Sequence, residues 1–277
     1  MSLRAVLGWR EVKFFDNRED LVMLRSLMSL KNYRLEARDG EIGSVNDIYF
    51  DDERWTVRYL VVNTDVWLPG GNVLIPMAAV GGTPDWVKKH IPVELTKEQV
   101  KASPAVSTHK PVSREEETKL NVYYGYPSYW TAFGPAPAMI QPLKEPTTKS
   151  NEASRRDSHL RSLNEVTGYY IKAKDKTFGH VEDLIVDDEK WALRYMVIDT
   201  KNWIPAKEVL IAPSWASEIK WDEKMVSVDL TEEQLKASPE YRPSDPINRE
   251  QEERLYDYYG RPRYWEQDHV AGAGPIF

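Results

Sequence analysis

The chain has 277 residues, a net charge of −7 and an isoelectric point of about 5.4. Hydrophobic residues make up 41% of it and 10 residues are Trp, which favours packed globular domains over disorder. The acidic balance argues against non-specific binding to nucleic acid or to anionic membranes, because both need basic surfaces.

The sequence contains no cysteine, so a disulfide framework and thiol chemistry are excluded and a reducing compartment is expected. No apolar run approaches the roughly 18–20 residues that a membrane span requires. Charged residues such as Arg10 and Lys13 interrupt any signal-peptide core near the N-terminus. We therefore expect a cytoplasmic protein.

A long stretch of the chain occurs twice. Residues 51–64 return as residues 187–200, with 8 of 14 positions identical. The two copies keep an offset of 136 through Leu74 and an offset of 135 from Trp86 onward. A single one-residue gap over such a length indicates the duplication of a whole folded unit rather than a short solenoid repeat.

The repeat predicts five parts. They are an N-terminal extension (1–23), a first repeat (24–130), a proline-rich linker (131–159), a second repeat (160–265) and a C-terminal tail (266–277). Proline and polar residues favour an extended linker. Apolar residues within it, Phe133 and Met139-Ile140, leave open whether it crosses the domain interface as a strap.

The first two thirds of each repeat are predicted to be β. Alternating sidedness, a turn signal at Asp39-Gly40 and runs of β-branched and aromatic residues support this prediction. The strands expected in the first repeat are 33–38, 42–50, 55–63, 72–75 and 91–95. Because short strands leave exposed edges, a small closed or half-open barrel is favoured.

The last third of each repeat is predicted to be helical. A Ser, Thr or Asn followed three positions later by Gln or Glu is the pattern of a capping box. This pattern occurs at Thr96, Ser113, Thr231 and Asn248. Gly125 and Gly260 predict where the second helix of each repeat ends, because glycine is the usual residue after a helix terminus.

The front of each repeat resembles a PRC-barrel domain. The resemblance rests on Gly43-Ser-Val-Asn-Asp47, on the acidic turn and the Trp-x-Val-Arg-Tyr-Leu-Val-Val run that follow, and on Gly179-His-Val-Glu-Asp183. It covers roughly 24–100 and 160–235. It implies a mainly β fold with α extensions, in which two small PRC-type β-barrels in tandem are each followed by short helices.

The PRC-barrel family is named after the cytoplasmic domain of the photosynthetic reaction-centre H subunit, and related barrels occur in ribosome maturation factors. The helical and aromatic extensions are similar to those of a bacterial tandem subgroup. The reaction-centre subunit carries a transmembrane helix ahead of its barrel. No such helix is predicted here, so a direct photosynthetic role is not expected.

Two polar positions recur within the predicted strands, one as Asp47 and Asp183 and the other as Arg58 and Arg194. A buried guanidinium needs a partner, so we expect each Arg to pair with one of the repeated Asp residues, Asp47 and Asp183 being the first choice, and the alternative is an anionic ligand. Asp47 is also interpreted as an acceptor of backbone hydrogen bonds. The acidic turn 51–53 is interpreted as a hairpin turn rather than a calcium site, because calcium-loop spacing is absent.

Each repeat ends in an aromatic tail, and the two tails share 6 of 8 positions. The candidate interface residues are Tyr123, Tyr124, Tyr129, Trp130, Tyr258, Tyr259, Tyr264 and Trp265. Tyr and Trp combine apolar area with a polar group, which suits interfaces. Three interpretations stay open: the tail covers its own barrel, docks on a protein, or binds an aromatic ligand such as a quinone.

No catalytic residue, cofactor or metal site is predicted. None of the five histidines aligns with a histidine in the other repeat, and His-x-x-x-His and Glu-x-x-His spacings are absent. The sequence also lacks a nucleophile elbow, a phosphate-binding loop and a dinucleotide fingerprint.

The expected function is therefore non-catalytic: a tandem PRC-barrel protein that interacts with other proteins, or with a second copy of itself, as a scaffold. The alternative is a module like the reaction-centre H subunit that handles a ligand or protons in peripheral association with a membrane or electron-transfer complex. A role as an RNA-processing accessory is disfavoured by the acidic charge.

Overall fold

A computed structural model describes residues 23–65, 67–68, 71–104, 106, 112–130, 159–200 and 207–266. We call residues 23–130 the first half and residues 159–266 the second half. The linker, with its proposed strap, lies outside the described residues except for His159. Of the N-terminal extension and the C-terminal tail, only Met23 and Glu266 are described.

Each half consists of strands followed by two helices, and the second half has an additional short helix after its first strand. The first half contains β1 (Leu24–Ser26), β2 (Arg34–Ala37), β3 (Gly40–Asp51), β4 (Thr56–Asn63), β5 (Asn72–Pro76), β6 (His90–Pro92), α1 (Lys97–Lys101) and α2 (Arg114–Tyr124). The second half contains β7 (Leu160–Ser162), α3 (Leu163–Val166), β8 (Tyr170–Lys172), β9 (Thr177–Asp187), β10 (Leu193–Asp199), β11 (Glu208–Ile211), β12 (Ala216–Lys220), β13 (Met225–Val228), α4 (Glu232–Ala237) and α5 (Arg249–Tyr259).

The two sheets have corresponding strand orders. The first sheet runs β5-β4-β3-β2-β6 and the second runs β11-β10-β9-β8-β13-β12. Neighbouring strands are antiparallel except for the parallel pairs β2–β6 and β8–β13. Strand β12 has no counterpart among the named strands of the first half, and the sequence patterns do not predict it.

Of the two expected alternatives, a closed or a half-open barrel, the closed one is wrong, because both sheets are open in their strand order. Closure is one means of removing free edges. The protein covers edges instead. For example, the backbone N–H of Tyr241 donates to the carbonyl of Glu208 on the outer strand β11 at 2.8 Å.

The first strand of each half lies in the sheet of the other half. Strand β1 pairs antiparallel with the end of β9, where Leu24 faces Asp187. Strand β7 pairs in the same way with the end of β3, where Leu160 faces Asp51. The sequence patterns do not predict this exchange. Because of it, each sheet contains strands from both halves.

The halves also meet at the turns that follow β3 and β9. Thr56 and Ala192 form an antiparallel bridge. On either side of it, the N–H of Val57 donates to the carbonyl of Trp191 at 2.9 Å, and the N–H of Leu193 donates to the carbonyl of Trp55 at 2.7 Å. The contacts are reciprocal, so equivalent residues of the two halves lie against each other at these turns.

The predicted helix boundaries are confirmed. All four capping boxes form, and in each the side chain at the cap accepts from the backbone N–H of the third helical residue. Gly125 and Gly260 end α2 and α5 with φ of 76° and 61°, the left-handed conformation that glycine adopts without strain.

Glycine is also required where β3 and β9 pass close to the neighbouring strand. A Cβ on Gly43 would lie 2.0 Å from the carbonyl oxygen of Asn63, and a Cβ on Gly179 would lie 2.5 Å from that of Asp199. Both residues have positive φ. This close approach explains why the glycine of the Gly-x-Val-x-Asp motif occurs in both halves.

The core continues across both halves. Buried residues of the two sheets form one cluster, which includes Leu27 and Leu163 from the exchanged segments. A smaller cluster lies on the outer face of β4, beneath α2, and consists of Tyr49, Tyr59, Val61, Leu74, Val112, Leu120 and Leu160. Strand β4 is therefore buried on both faces. Among the described residues, the helices are too short or too polar to cross a lipid bilayer.

The exchanged strands predict that the halves unfold together. We expect urea to produce one transition, with Trp fluorescence and far-UV circular dichroism coinciding. Leu27→Ala empties a fully buried position of the first half and should cost about 2–5 kcal/mol. Hydrogen exchange should accelerate in both sheets. Met23→Ala, at an exposed position of the same segment, is the matched control. Separate transitions for the two sheets would contradict the prediction.

Candidate functional site

Asp47 holds the strand that the second half contributes to the first sheet. Its carboxylate accepts hydrogen bonds from Ser162 Oγ at 2.5 Å and from the backbone N–H of Asn164 at 3.1 Å. The N–H of Ile48 donates to it at 2.8 Å. Burial raises the pKa of Asp47, although these hydrogen bonds oppose the rise.

Asp183 has the same role in the second sheet. It accepts from Ser26 Oγ and from the backbone N–H groups of Met28 at 2.9 Å and Leu184 at 2.7 Å. Burial likewise raises the pKa of Asp183. The interpretation of Asp47 as an acceptor of backbone hydrogen bonds is therefore confirmed, and the structure adds that one of its backbone donors belongs to the opposite half.

A second carboxylate in each half forms an ion pair with the exchanged strand. Arg161 Nε lies 2.7 Å from Asp52 Oδ2, and Arg25 Nε lies 2.7 Å from Asp188 Oδ2. The two guanidinium groups also lie over tryptophan rings of their own halves, Arg161 over Trp221 at 4.3 Å and Arg25 over Trp86 at 3.9 Å. All six residues hold the two sheets together.

Arg58 and Arg194 each pair with a repeated Asp residue as expected, but the first choice of Asp47 and Asp183 as the partners is wrong. Arg58 Nη2 lies 3.3 Å from Asp51 Oδ2, and Arg194 Nη2 lies 2.8 Å from Asp187 Oδ2. Residue register explains the difference, since Asp47 faces Val61 whereas Asp51 faces Thr56, two residues from Arg58.

Asp51 also shapes the turn after β3, as the sequence predicted. Its Oδ1 atom accepts from the backbone N–H groups of Glu53 at 2.9 Å and Arg54 at 3.3 Å. Asp187 accepts equivalently from Glu189 and Lys190 at 2.9 and 2.8 Å. The interpretation of the acidic turns as hairpin turns is thus confirmed.

The aromatic tails lie over these arginines. The ring centre of Tyr129 lies 3.9 Å from the guanidinium carbon of Arg58, and that of Tyr264 lies 4.1 Å from that of Arg194. In both cases the ring and the arginine belong to the same half. Each tail therefore returns to its own sheet and covers a buried ion pair.

The remaining tail residues also make contacts within their own half. Trp130 lies over Arg114 at 4.5 Å and Trp265 over Arg249 at 4.2 Å. Tyr123 and Tyr258 donate to the carbonyls of Gln99 and Gln234, and both rings remain exposed. Tyr124 and Tyr259 are half-buried beside them. An interface role for these eight residues stays a prediction.

Beneath each tail lies a buried glutamate that the sequence analysis missed. Glu117 is 0% exposed and accepts from Tyr129 Oη at 2.9 Å, with Arg114 Nη1 at 3.4 Å. Burial raises the pKa of Glu117 to about 7, and its hydrogen bond with Tyr129 and the charge of Arg114 oppose the rise.

Glu252 is the counterpart in the second half. It accepts from Tyr195 Oη at 2.7 Å, from Tyr264 Oη at 2.9 Å and from Arg249 Nη1 at 2.9 Å. Burial raises the pKa of Glu252 as well. Glu and Arg recur at the start of both helices, and this recurrence could have indicated a buried pair. Their position in the helix alone indicates a solvent-exposed charge at a helix N-terminus instead.

A cavity of about 300 Å³ lies between β11, the segment 239–247 and α5 in the second half. Its lining combines apolar side chains with charged ones, including Leu210, Tyr241, Arg242, Ile247, Glu252 and Leu255. Such a volume is at the lower end of the range found for small-molecule sites.

Comparison with known families identifies one domain. A family model for the PRC-barrel domain matches residues 29–100, from the residues just after β1 to α1. The resemblance expected at 24–100 is therefore confirmed over this range. No curated protein matches the chain. Residues 29–100 of the first half thus match the PRC-barrel domain family.

The buried position of Glu117 predicts a pH-dependent stability. Because its pKa of about 7 in the folded protein lies above the ordinary 4.5, this effect favours the fold below pH 4.5 and is lost as the pH rises through 7. Between these limits, the free energy of unfolding of the wild type should fall relative to Glu117→Gln by on the order of 3 kcal/mol.

Urea titrations from pH 4.5 to pH 8 would measure this difference. Groups common to both proteins, such as Asp47 and Glu252, cancel in the comparison. Glu115→Gln, on the exposed face of the same helix, is the matched control and should show no such trend. A constant difference between the wild type and Glu117→Gln across this range would contradict a raised pKa at Glu117.

Proposed function

We propose that the protein is a non-catalytic scaffold built from two PRC-barrel domains in tandem, residues 24–130 and 160–265, that binds other proteins. The correspondence of the two strand orders and the close approach of Gly43 and Gly179 to the neighbouring strand support a second domain of the same type. Exchange of β1 and β7 joins the domains into one unit.

The observation that carries this proposal is the use of the polar residues that both halves keep. Asp47 and Asp183 hold the exchanged strands, and Arg58 and Arg194 form ion pairs under the aromatic tails. These groups stabilise a shape through contacts within the protein. Recurrence of such shape-stabilising residues in both halves supports a binding role over catalysis.

A partner surface is best supported where the halves differ. On α2, Val122 is 77% exposed and adjoins the exposed ring of Tyr123. The residue aligned with Val122 in the second half is Asp257, which lies at an exposed position of α5. A large apolar side chain kept in solvent on one half only favours contact with another protein on that half.

Val122→Asp places the residue of the second half in the first and tests this surface. Tagged wild type and variant would be used to capture proteins from a native extract, with quantitative mass spectrometry. We expect at least one protein enriched by the wild type to fall at least tenfold with Val122→Asp, because a charge at an apolar contact must be desolvated.

Val87→Asp is the matched control, since Val87 is 92% exposed and lies in a different element. It should retain the same partners. Light scattering of the wild type would detect self-association in the same preparation. A protein that captures nothing above a tag-only control and stays monomeric would contradict the scaffold proposal.

A proton-handling module is the second candidate, supported by one specific observation. Burial raises the pKa of Glu117 to about 7, and its carboxylate accepts a hydrogen bond from Tyr129, so Glu117 is suited to proton exchange near neutral pH. Infrared difference spectra between pH 6 and pH 8 would show the carbonyl band of a protonated carboxylic acid that disappears in Glu117→Gln. Absence of that band at pH 6 would remove this candidate.

A further inference from the structure

We propose that His180, Glu182 and Asp199 form a binding site for a divalent transition-metal ion such as Zn²⁺. One ligand atom from each residue lies within 4.8 Å of the other two. His180 Nε2 and Glu182 Oε2 are already 3.1 Å apart. Imidazole and carboxylate are ligands that zinc commonly takes in proteins.

The sheet itself brings the three residues together. His180 and Glu182 are two positions apart on β9, so their side chains leave the same face of the strand. Asp199 is the residue of β10 that directly faces His180. Two spaced residues on one strand and a facing residue on its neighbour give three donors with little freedom to separate, which reduces the entropy cost of binding an ion.

The distances require only a small adjustment. Ligand atoms that surround zinc at roughly 2.1 Å lie roughly 3–3.5 Å from one another in a tetrahedral arrangement. The His180–Glu182 separation already falls in this range, and rotation of the Glu182 or Asp199 side chain can shorten the remaining distances. The backbone does not need to move.

The charges also suit a dication. Asp199 is 6% exposed, whereas the side chains of His180 and Glu182 are 29% and 45% exposed. A buried carboxylate at the base and two accessible ligands above it leave an entry path from solvent. Glu182 and Asp199 supply carboxylate oxygens, which attract a divalent ion.

The first half offers a comparison within the molecule. At the aligned positions it has Ser44, Asn46 and Asn63. Asn46 Nδ2 donates to the side chain of Asn72 at 3.4 Å, and the Asn63 side chain bonds with that of Asp65 at 3.2 Å. The first half thus has two amides and a hydroxyl at these three positions, whereas the second half has three groups that can bind zinc on the equivalent strands.

Three protein ligands leave at least one coordination position open. In zinc sites this position takes water or a donor from another molecule. The proposed site is therefore able to link the second half to a partner through a shared ion, and it does not depend on the scaffold function.

The competing explanation is a simple ion pair between His180 and Glu182, and a titration separates the two. Chelator-treated full-length protein would be titrated with ZnCl₂ in a calorimeter at pH 7.5. We expect one equivalent to bind. His180→Ala and Glu182→Gln should each weaken this binding at least tenfold, because each removes one of the three ligands.

His90→Ala is the matched control, because His90 Nδ1 lies 3.8 Å from Glu36 Oε2 in a similar His–Glu pair without a third ligand. It should bind ZnCl₂ like the wild type. CoCl₂ should give the visible absorption of a bound cobalt ion in the wild type and not in Glu182→Gln, and circular dichroism would confirm that the variants are folded.

A graft makes the test independent of any loss of folding. Ser44→His, Asn46→Glu and Asn63→Asp combined should add a second equivalent of bound zinc to the first half. The proposal is overturned if the wild type binds less than one equivalent of zinc at about 100 µM free ZnCl₂, a concentration at which only weak, adventitious sites would stay empty. It is equally overturned if His180→Ala and Glu182→Gln bind as tightly as the wild type.

Discussion

The structure depends on two carboxylates that bind the first strand of the opposite half. Asp47 and Asp183 each accept a serine hydroxyl and a backbone N–H from the exchanged segment. Without these acceptors, β1 and β7 would lose their hydrogen bonds at the point where the chain turns into the shared core. Burying such a carboxylate is costly, which the raised pKa of both residues reflects, so the donors must be in place for the fold to form.

Once the strands are exchanged, the rest of each half follows in layers. The outer face of β4 does not contact the shared core and is covered by α2 instead. The tail then returns to the sheet, where Tyr129 lies over Arg58. The helix covers apolar side chains of the sheet, and the tail covers the ion pair of Arg58 with Asp51. Ion pairs buried in this way contribute little net stability, but an alternative arrangement that broke one would be strongly disfavoured, so they favour a single arrangement of the tail.

Local features could be predicted from the sequence, and long-range ones could not. Capping boxes and turn glycines act within a few residues, so Thr96 and Gly125 sufficed to place helix boundaries. Strand exchange could not be predicted, since Leu24-Arg-Ser and Leu160-Arg-Ser are identical and fit the edge of either sheet. The partner of Arg58 was mistaken because it depends on register across β3 and β4, which a single sequence does not determine.

The same limit applies to His180, Glu182 and Asp199. The metal motifs recognisable in a sequence have helical spacing, whereas these residues combine a two-residue spacing on one strand with a facing position on the next. Requiring a site in both copies identifies what the fold needs, namely Asp47, Asp183 and the arginines under the tails. The same requirement excludes any site that only one copy has. In a duplicated protein whose shape is secured by shared contacts, the positions at which the copies differ are where separate functions can arise.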